Sequence, residues 1–114
     1  DALMSLRGEP TDALIRSELG LVTQRVTPDI ARAIGVDSNT TGVVIGAVSG
    51  SSDAAAKGLQ RGDVILNAHG RPVATNADLA NAIAEAKRQG RTAILVQVVR
   101  RGIRPQYIPL RLGN

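Results

Sequence analysis

Apolar residues in this chain come in short runs, and each run is closed by glycine, proline or small polar residues. That punctuation predicts short strands and helices in succession. The first run, Leu19-Gly20-Leu21-Val22-Thr23-Gln24-Arg25-Val26, predicts a strand with a glycine near its entrance. Thr27-Pro28-Asp29 then opens a short helix. The threonine hydroxyl suits an N-cap, proline suits the first helical position, and aspartate suits the positive end of the helix dipole. Gly35 is placed to end that helix in left-handed backbone, and Ile30, Ala33 and Ile34 would form its buried side. Asn39 to Gly42 reads as a turn and Gly42 to Val48 as a second strand, β-branched and mostly apolar. Ser49 to Ser52 is a loop, and Ser52 can cap a short helix from Asp53 to Lys57 that stops at Gly58.

The stretch Gly58-Leu59-Gln60-Arg61-Gly62-Asp63-Val64-Ile65-Leu66 organises the rest. Two glycines bracket a tight turn, Asp63 is suited to accept backbone N–H bonds within it, and Val64-Ile65-Leu66 leaves it as a buried strand. Asn67-Ala68-His69-Gly70 predicts a second turn, and Arg71-Pro72-Val73 leads to a helix over about 77–89 capped by Asn76. Asp78 lies near the start of that helix and Lys87 and Arg88 near its end, as the dipole favours; Gly90 closes it. Leu79, Ile83 and Ala86 share one stripe. Thr92 to Arg100 predicts a long strand, Arg101-Gly102 a turn, and Pro105 to Leu112 a return strand with Ile108, Leu110 and Leu112 on one face. Pro109 has no N–H and therefore puts that strand at an edge or a bulge. Residues 1–16 differ from the rest: Ala2 to Leu6 has strand-like apolar content and Arg7 to Asp12 is turn and linker material. Residues 1–16 are therefore expected to be a linker and the remnant of a preceding domain, with a flexible tail as the alternative. Residues 17–114 are expected to be one domain.

Composition narrows this picture. With 114 residues, 43% of them hydrophobic, the chain can bury one modest core. Tyr107 is its one aromatic residue, so that core must be aliphatic. There is no cysteine, which excludes disulfides and thiolate metal sites. Five or six short strands and two or three short helices, without the alternation of a doubly wound sheet, predict an α+β domain. Its form would be a small, strongly curved antiparallel sheet or partly open barrel capped by helices.

Gly58-Leu59, Gly62-Asp63-Val64-Ile65-Leu66, Gly70, Pro72-Val73 and Asp78-Leu79 stand in an order and at a spacing that resemble a PDZ domain, most closely those of HtrA/Do-type (DegP-like) serine proteases. The resemblance covers about residues 18–112. It implies the circularly permuted HtrA-type arrangement, in which the C-terminal strand completes the sheet. The family usually has proline at the position of Asp53 and a small residue at that of Lys57, which suggests a more exposed helix there. PDZ domains bind peptides by adding a strand to a sheet edge, with the terminal carboxylate in a nest of backbone N–H groups. Ser17-Glu18-Leu19-Gly20-Leu21 is the matching loop and Leu21 to Gln24 the pairing edge. The candidate peptide-binding residues are Glu18, Leu19, Gly20, Leu21, Val22 and Thr23, with Leu79, Ile83 and Ala86 along the helix side of an aliphatic groove. Ordinary core is the alternative reading of that helical stripe. If it lines an open groove, Ile83→Glu should abolish peptide binding and leave the fold intact. Glu18 sits awkwardly, since a carboxylate beside a carboxylate nest repels its ligand. Either it points to solvent or the domain prefers internal extended segments.

The resemblance implies a module without catalytic residues, cut from a periplasmic serine endopeptidase of protein quality control. In that family PDZ domains recognise substrate, regulate the enzyme or assemble its homo-oligomer. Expected partners are unfolded or C-terminal peptide segments, the parent's protease domain and a neighbouring PDZ; if residues 1–16 follow another PDZ, this is the second. Affinity for a single peptide should be about micromolar, roughly −8 kcal/mol. A PDZ of another protease or secretion protein is the alternative parent. The remaining chemistry is sparse. His69 reads as a turn residue, no metal or cofactor is expected, and Asn39-Thr40-Thr41 spells a sequon of the kind that arises by chance. Arg100, Arg101 and Arg104 cluster at a hairpin tip. A solvated tip is the plain reading and a nucleic-acid-binding module the other, though no aromatics are interleaved for base stacking and no nucleic-acid partner is expected.

Overall fold

A computed structural model describes residues 9–101 and 103–113. In chain order the elements are α1 (Glu9–Leu19), β1 (Leu21–Arg25), α2 (Pro28–Ile34), β2 (Val43–Val48), α3 (Asp53–Ala56), β3 (Val64–Ala68), β4 (Arg71–Pro72), α4 (Asn76–Arg88), β5 (Ala93–Arg100) and β6 (Ile103–Arg111). They build a six-stranded open sheet in the order β1-β2-β3-β5-β6, with β4 paired to β3 beside that path. All the pairings are antiparallel. The α+β expectation holds, with the C-terminal strand at one border of the sheet and β1 at the other.

Strand alternation divides the apolar residues between two faces. Val43, Ile45, Ile65, Ile94, Val96 and Val98 point to one face and pack with Leu79, Ile83 and Ala86 of α4 and with Ile15 and Leu19 of α1. Val44 and Val64 point to the other, where Ala31 of α2 covers them together with Val26. The core is aliphatic throughout. In α2, Ala31 is buried and Ala33 exposed, the reverse of the sequence expectation; Ile30 and Ile34 are half-buried as the second cluster requires. Thr27 caps α2 through the N–H of Ile30, and Gly35 closes it at φ 82°.

The N-cap of α4 is Thr75, not Asn76, and it forms a capping box with Asp78. That releases the Asn76 side chain for contacts elsewhere. Strand β3 runs through Asn67 and Ala68, so the turn is shorter than predicted, with His69 at φ 55° and Gly70 at φ 76°. Asp63 fixes its turn as expected, its Oδ2 accepting the N–H of Gln60 at 2.9 Å. It also holds Arg100, whose Nε and Nη2 donate to the two carboxylate oxygens at 2.7 and 2.8 Å. Arg100 is thus part of the framework, and the basic hairpin tip keeps only Arg101 and Arg104 as exposed cations.

Residues 9–16, expected as turn and linker material, form the first part of α1. They are helical, and Ile15 is 1% exposed. The strand proposed within residues 1–6 lies outside the described residues.

Strand β6 is an edge strand, as Pro109 required. Its free border is poorly suited to further pairing. The N–H of Leu112 donates inward to Thr92, so alternate residues 105, 107, 109 and 111 turn their N–H positions outward. Pro105 and Pro109 have no N–H to offer, and the N–H of Arg111 donates to Asp53 Oδ2 at 2.9 Å. Lys57 donates to the carbonyl of Pro109 and pairs with Asp53 at 2.9 Å. The two positions where the sequence departs from the family pattern therefore pin β6 to α3; Lys57 is exposed, as expected there, and Asp53 half-buried. The Arg111 N–H and the Lys57 ammonium hold the Asp53 carboxyl below the ordinary aspartate range. Because the folded-state value is depressed, this contact contributes stability above the unfolded-state value, and the contribution is lost as pH falls through the folded one. An NMR titration of the Asp53 side chain should show protonation at lower pH than a model peptide, and Asp53→Asn should flatten the acid limb of stability against pH.

Candidate functional site

The sequence places its recognition residues around the cleft between β1 and α4, and the structure brings most of them there. Leu19 and Leu21 flank Gly20 and are 0% and 1% exposed; Leu79, Ile83 and Ala86 face them from α4, each 0% exposed. Thr23 is buried as well. Val22 is not part of this group: its side chain is 44% exposed, as alternation along a strand dictates. The register of β1 against β2 slips between Val22 and Thr23, so Thr23 faces Ile45 and Val22 faces Ala47.

The expected open carboxylate loop at Ser17 to Leu21 is absent. Ser17, Glu18 and Leu19 form the last turn of α1, and the N–H of Gly20 donates to the carbonyl of Arg16 at 2.9 Å. Helical hydrogen bonding takes up the N–H groups of Leu19 and Gly20 that a nest would present. Gly20 is required twice over. It sits at φ 70°, and a Cβ there would come within 2.6 Å of the Ser52 Cβ.

The cleft is filled by α1, which lies along both α4 and β1. Ile15 and Leu19 join the main apolar cluster and Leu14 packs at its margin. Polar contacts fix both ends. Asn76 Nδ2 donates to Asp12 Oδ1 at 2.9 Å and to the Thr23 carbonyl at 2.8 Å, while Thr23 Oγ1 donates to Asn76 Oδ1 at 2.8 Å. At the other end Lys87 Nζ donates to Glu18 Oε2 at 2.6 Å. The Glu18 side chain is 11% exposed, so it does not point to solvent. Its charge is matched by a lysine that sequence reasoning had assigned only to the helix dipole. Asp12, Ile15, Asn76 and Lys87 were all missed. Leu14, Ile15, Glu18 and Leu19 stand at helical spacing, a signal masked by the preceding Gly8, Pro10 and Asp12.

Other surfaces carry less. An open hollow of about 650 Å³ lies between the loop after α2 and the β5–β6 hairpin, lined by Val36, Leu66, Val99 and Ile103 with Arg101 and Arg104, and by none of the candidate peptide-binding residues. His69 Nε2 lies 2.9 Å from Gln89 Oε1, in keeping with a turn residue. Among the described residues no group of three or more His, Cys, Asp or Glu side chains is placed to hold a metal, and no helix is long and apolar enough to cross a membrane.

The sequence of residues 19–106 matches the family model described as PDZ domain. The chain is a PDZ domain. Among curated relatives, this PDZ is 40% identical over 98 residues to a protein of Pseudomonas savastanoi pv. phaseolicola (strain 1448A / Race 6), described as a probable periplasmic serine endoprotease, DegP-like. The match takes in 86% of this chain and 20% of that protein. A protein of the same description from Brucella suis biovar 1 is 42% identical over 57 residues, half of this chain and 11% of its own length. The chain thus spans about a fifth or less of these relatives. Among solved structures, the PDZ resembles the HtrA-type protease AlgW with decapeptide at a TM-score of 0.65 and 27% identity, over 83% of this chain and 28% of that one. The HtrA3 PDZ domain bound to a phage-derived ligand (FGRWV) aligns at a TM-score of 0.64 over 82% of both chains; at 23% identity it supports the fold alone.

Proposed function

We propose that this PDZ captures extended peptide segments by adding them as a strand to the outer border of β1, with Leu19, Leu21, Leu79, Ile83 and Ala86 forming the pocket for an aliphatic side chain. One observation carries this reading. Of the two borders of the sheet, β6 is blunted by two prolines and pinned to α3, whereas β1 has a strand on one side only and its outer border is covered by α1, a helix, and not by a paired strand. The HtrA-type protease AlgW, solved with a decapeptide, supports a peptide as the ligand. The parent protein would be an HtrA-type serine endopeptidase of the periplasm, where this domain serves substrate recognition, regulation or homo-oligomer assembly.

Strand addition makes a demand that simple pocket binding does not. A guest strand points alternate amides at its host. Methylating those peptide nitrogens should weaken binding more than tenfold, and methylating the ones between should leave it nearly unchanged. Equal effects at all positions in a titration by fluorescence anisotropy would exclude strand pairing.

A further inference from the structure

We infer that α1 is a displaceable occupant of this cleft, latched by its own carboxylates, and that Lys87, now paired with Glu18, reads the carboxylate of the peptide that replaces it. The inference rests on the peptide-binding reading above and adds the regulation of that site.

Direction comes first. Asp12 meets Asn76 at the start of α4, and Glu18 meets Lys87 in its last turn, so α1 and α4 run the same way. Strand β1 leaves Gly20 at the Lys87 end and reaches Asn76 by Thr23, so it runs the opposite way. A guest strand antiparallel to β1 would therefore follow the path and direction of α1. Its last residue would arrive beside Leu19 and Leu21, and its carboxylate where Glu18 now meets Lys87.

The exchange replaces each contact that α1 makes near Lys87 with one from the guest. A helix satisfies its backbone internally and gives β1 nothing but side-chain contacts. The Thr23 carbonyl is served by the Asn76 amide, not by a strand. A guest strand supplies a backbone ladder and an aliphatic side chain in place of Ile15, and it offers Lys87 a carboxylate in place of Glu18. The ion pair is exchanged and no buried charge is left alone. The apparent affinity is reduced by the fraction of molecules with α1 docked. An internal segment without a carboxylate at that position would leave Lys87 with less than it has now.

The test uses the full chain and a labelled peptide ending in valine, as the free acid and as the amide. Arg16→Pro breaks α1 at an exposed residue that touches neither β1 nor α4 through any described hydrogen bond. It should bind the acid at least tenfold more tightly than the wild type, and Glu18→Gln several-fold more tightly. Adding Lys87→Gln to Arg16→Pro should erase most of the preference for acid over amide. Wild type and Arg16→Pro binding equally well would overturn the latch and leave strand addition standing. A persistent acid preference without Lys87 would overturn its role as reader. Binding by neither protein would remove the peptide-binding reading, and this inference with it. Should Arg16→Pro fail to fold, hydrogen exchange on the wild type decides the matter. With saturating peptide, amides of α1 should lose protection as those of β1 gain it, and α1 amides that stay protected would refute displacement.

Discussion

Ile83→Glu is expected to leave the domain unfolded, with no cooperative transition in urea. Ile83 is 0% exposed and lies in the apolar cluster shared by α1, α4 and the sheet. An ionised carboxylate there would cost several kcal/mol even after local relaxation, from a domain whose whole stability is about 5–15 kcal/mol. Ile83→Ala removes methyl groups only and should cost about 2–5 kcal/mol. It should therefore stay folded with a lower midpoint in far-UV circular dichroism. The sequence suggested Ile83→Glu as a clean probe of an open groove, with folding intact. The docked α1 changes that expectation: the residue now serves the core. A wild-type midpoint for Ile83→Glu would mean that Ile83 faces solvent and that α1 does not cover it.

The second large effect belongs to Asp63, which is 1% exposed. Its carboxylate receives two donors from Arg100 and the N–H of Gln60, and so joins the Gly58–Gly62 turn to the end of β5. Asp63→Ala leaves Arg100 with only the Gly58 carbonyl and Gln60 without its acceptor. Breaking a buried pair costs about 3–5 kcal/mol. The Arg100 side chain is 38% exposed and partly screened, so about 2–4 kcal/mol is expected here. Asp63→Asn keeps the shape and one acceptor and should lose less. Combining Asp63→Ala with Arg100→Met in a double-mutant cycle should return a coupling of about 1–3 kcal/mol. Additive losses would show that the two residues act separately.

The parts of this molecule that were legible in its sequence are those written in local chemistry. Thr27-Pro28-Asp29 and Gly35 bracket α2 because capping and left-handed backbone act within one turn. Pro109 announced an edge strand because a missing N–H cannot sit inside a ladder. What could not be read depended on residues far apart. Asn76 looked like a cap, and only the folded chain shows that Thr75 takes that role and frees Asn76 for Thr23 and Asp12. Glu18 looked like an obstacle to an anionic ligand because its partner, Lys87, is 69 residues away. Helix α1 was hidden by the turn-forming residues at its start, whose local preference is outweighed by burial of Ile15 and Leu19.

The most direct test of the account is an amide-shift titration of the isotopically labelled chain with a peptide that ends in an aliphatic residue and a free carboxylate. The largest shifts should fall on Leu21 to Arg25, together with α1 and the face of α4 that carries Leu79 and Ile83, and contacts between peptide and β1 backbone protons should appear. Shifts confined to the hollow beside the β5–β6 hairpin, or a β1 border unmoved at saturating peptide, would contradict it.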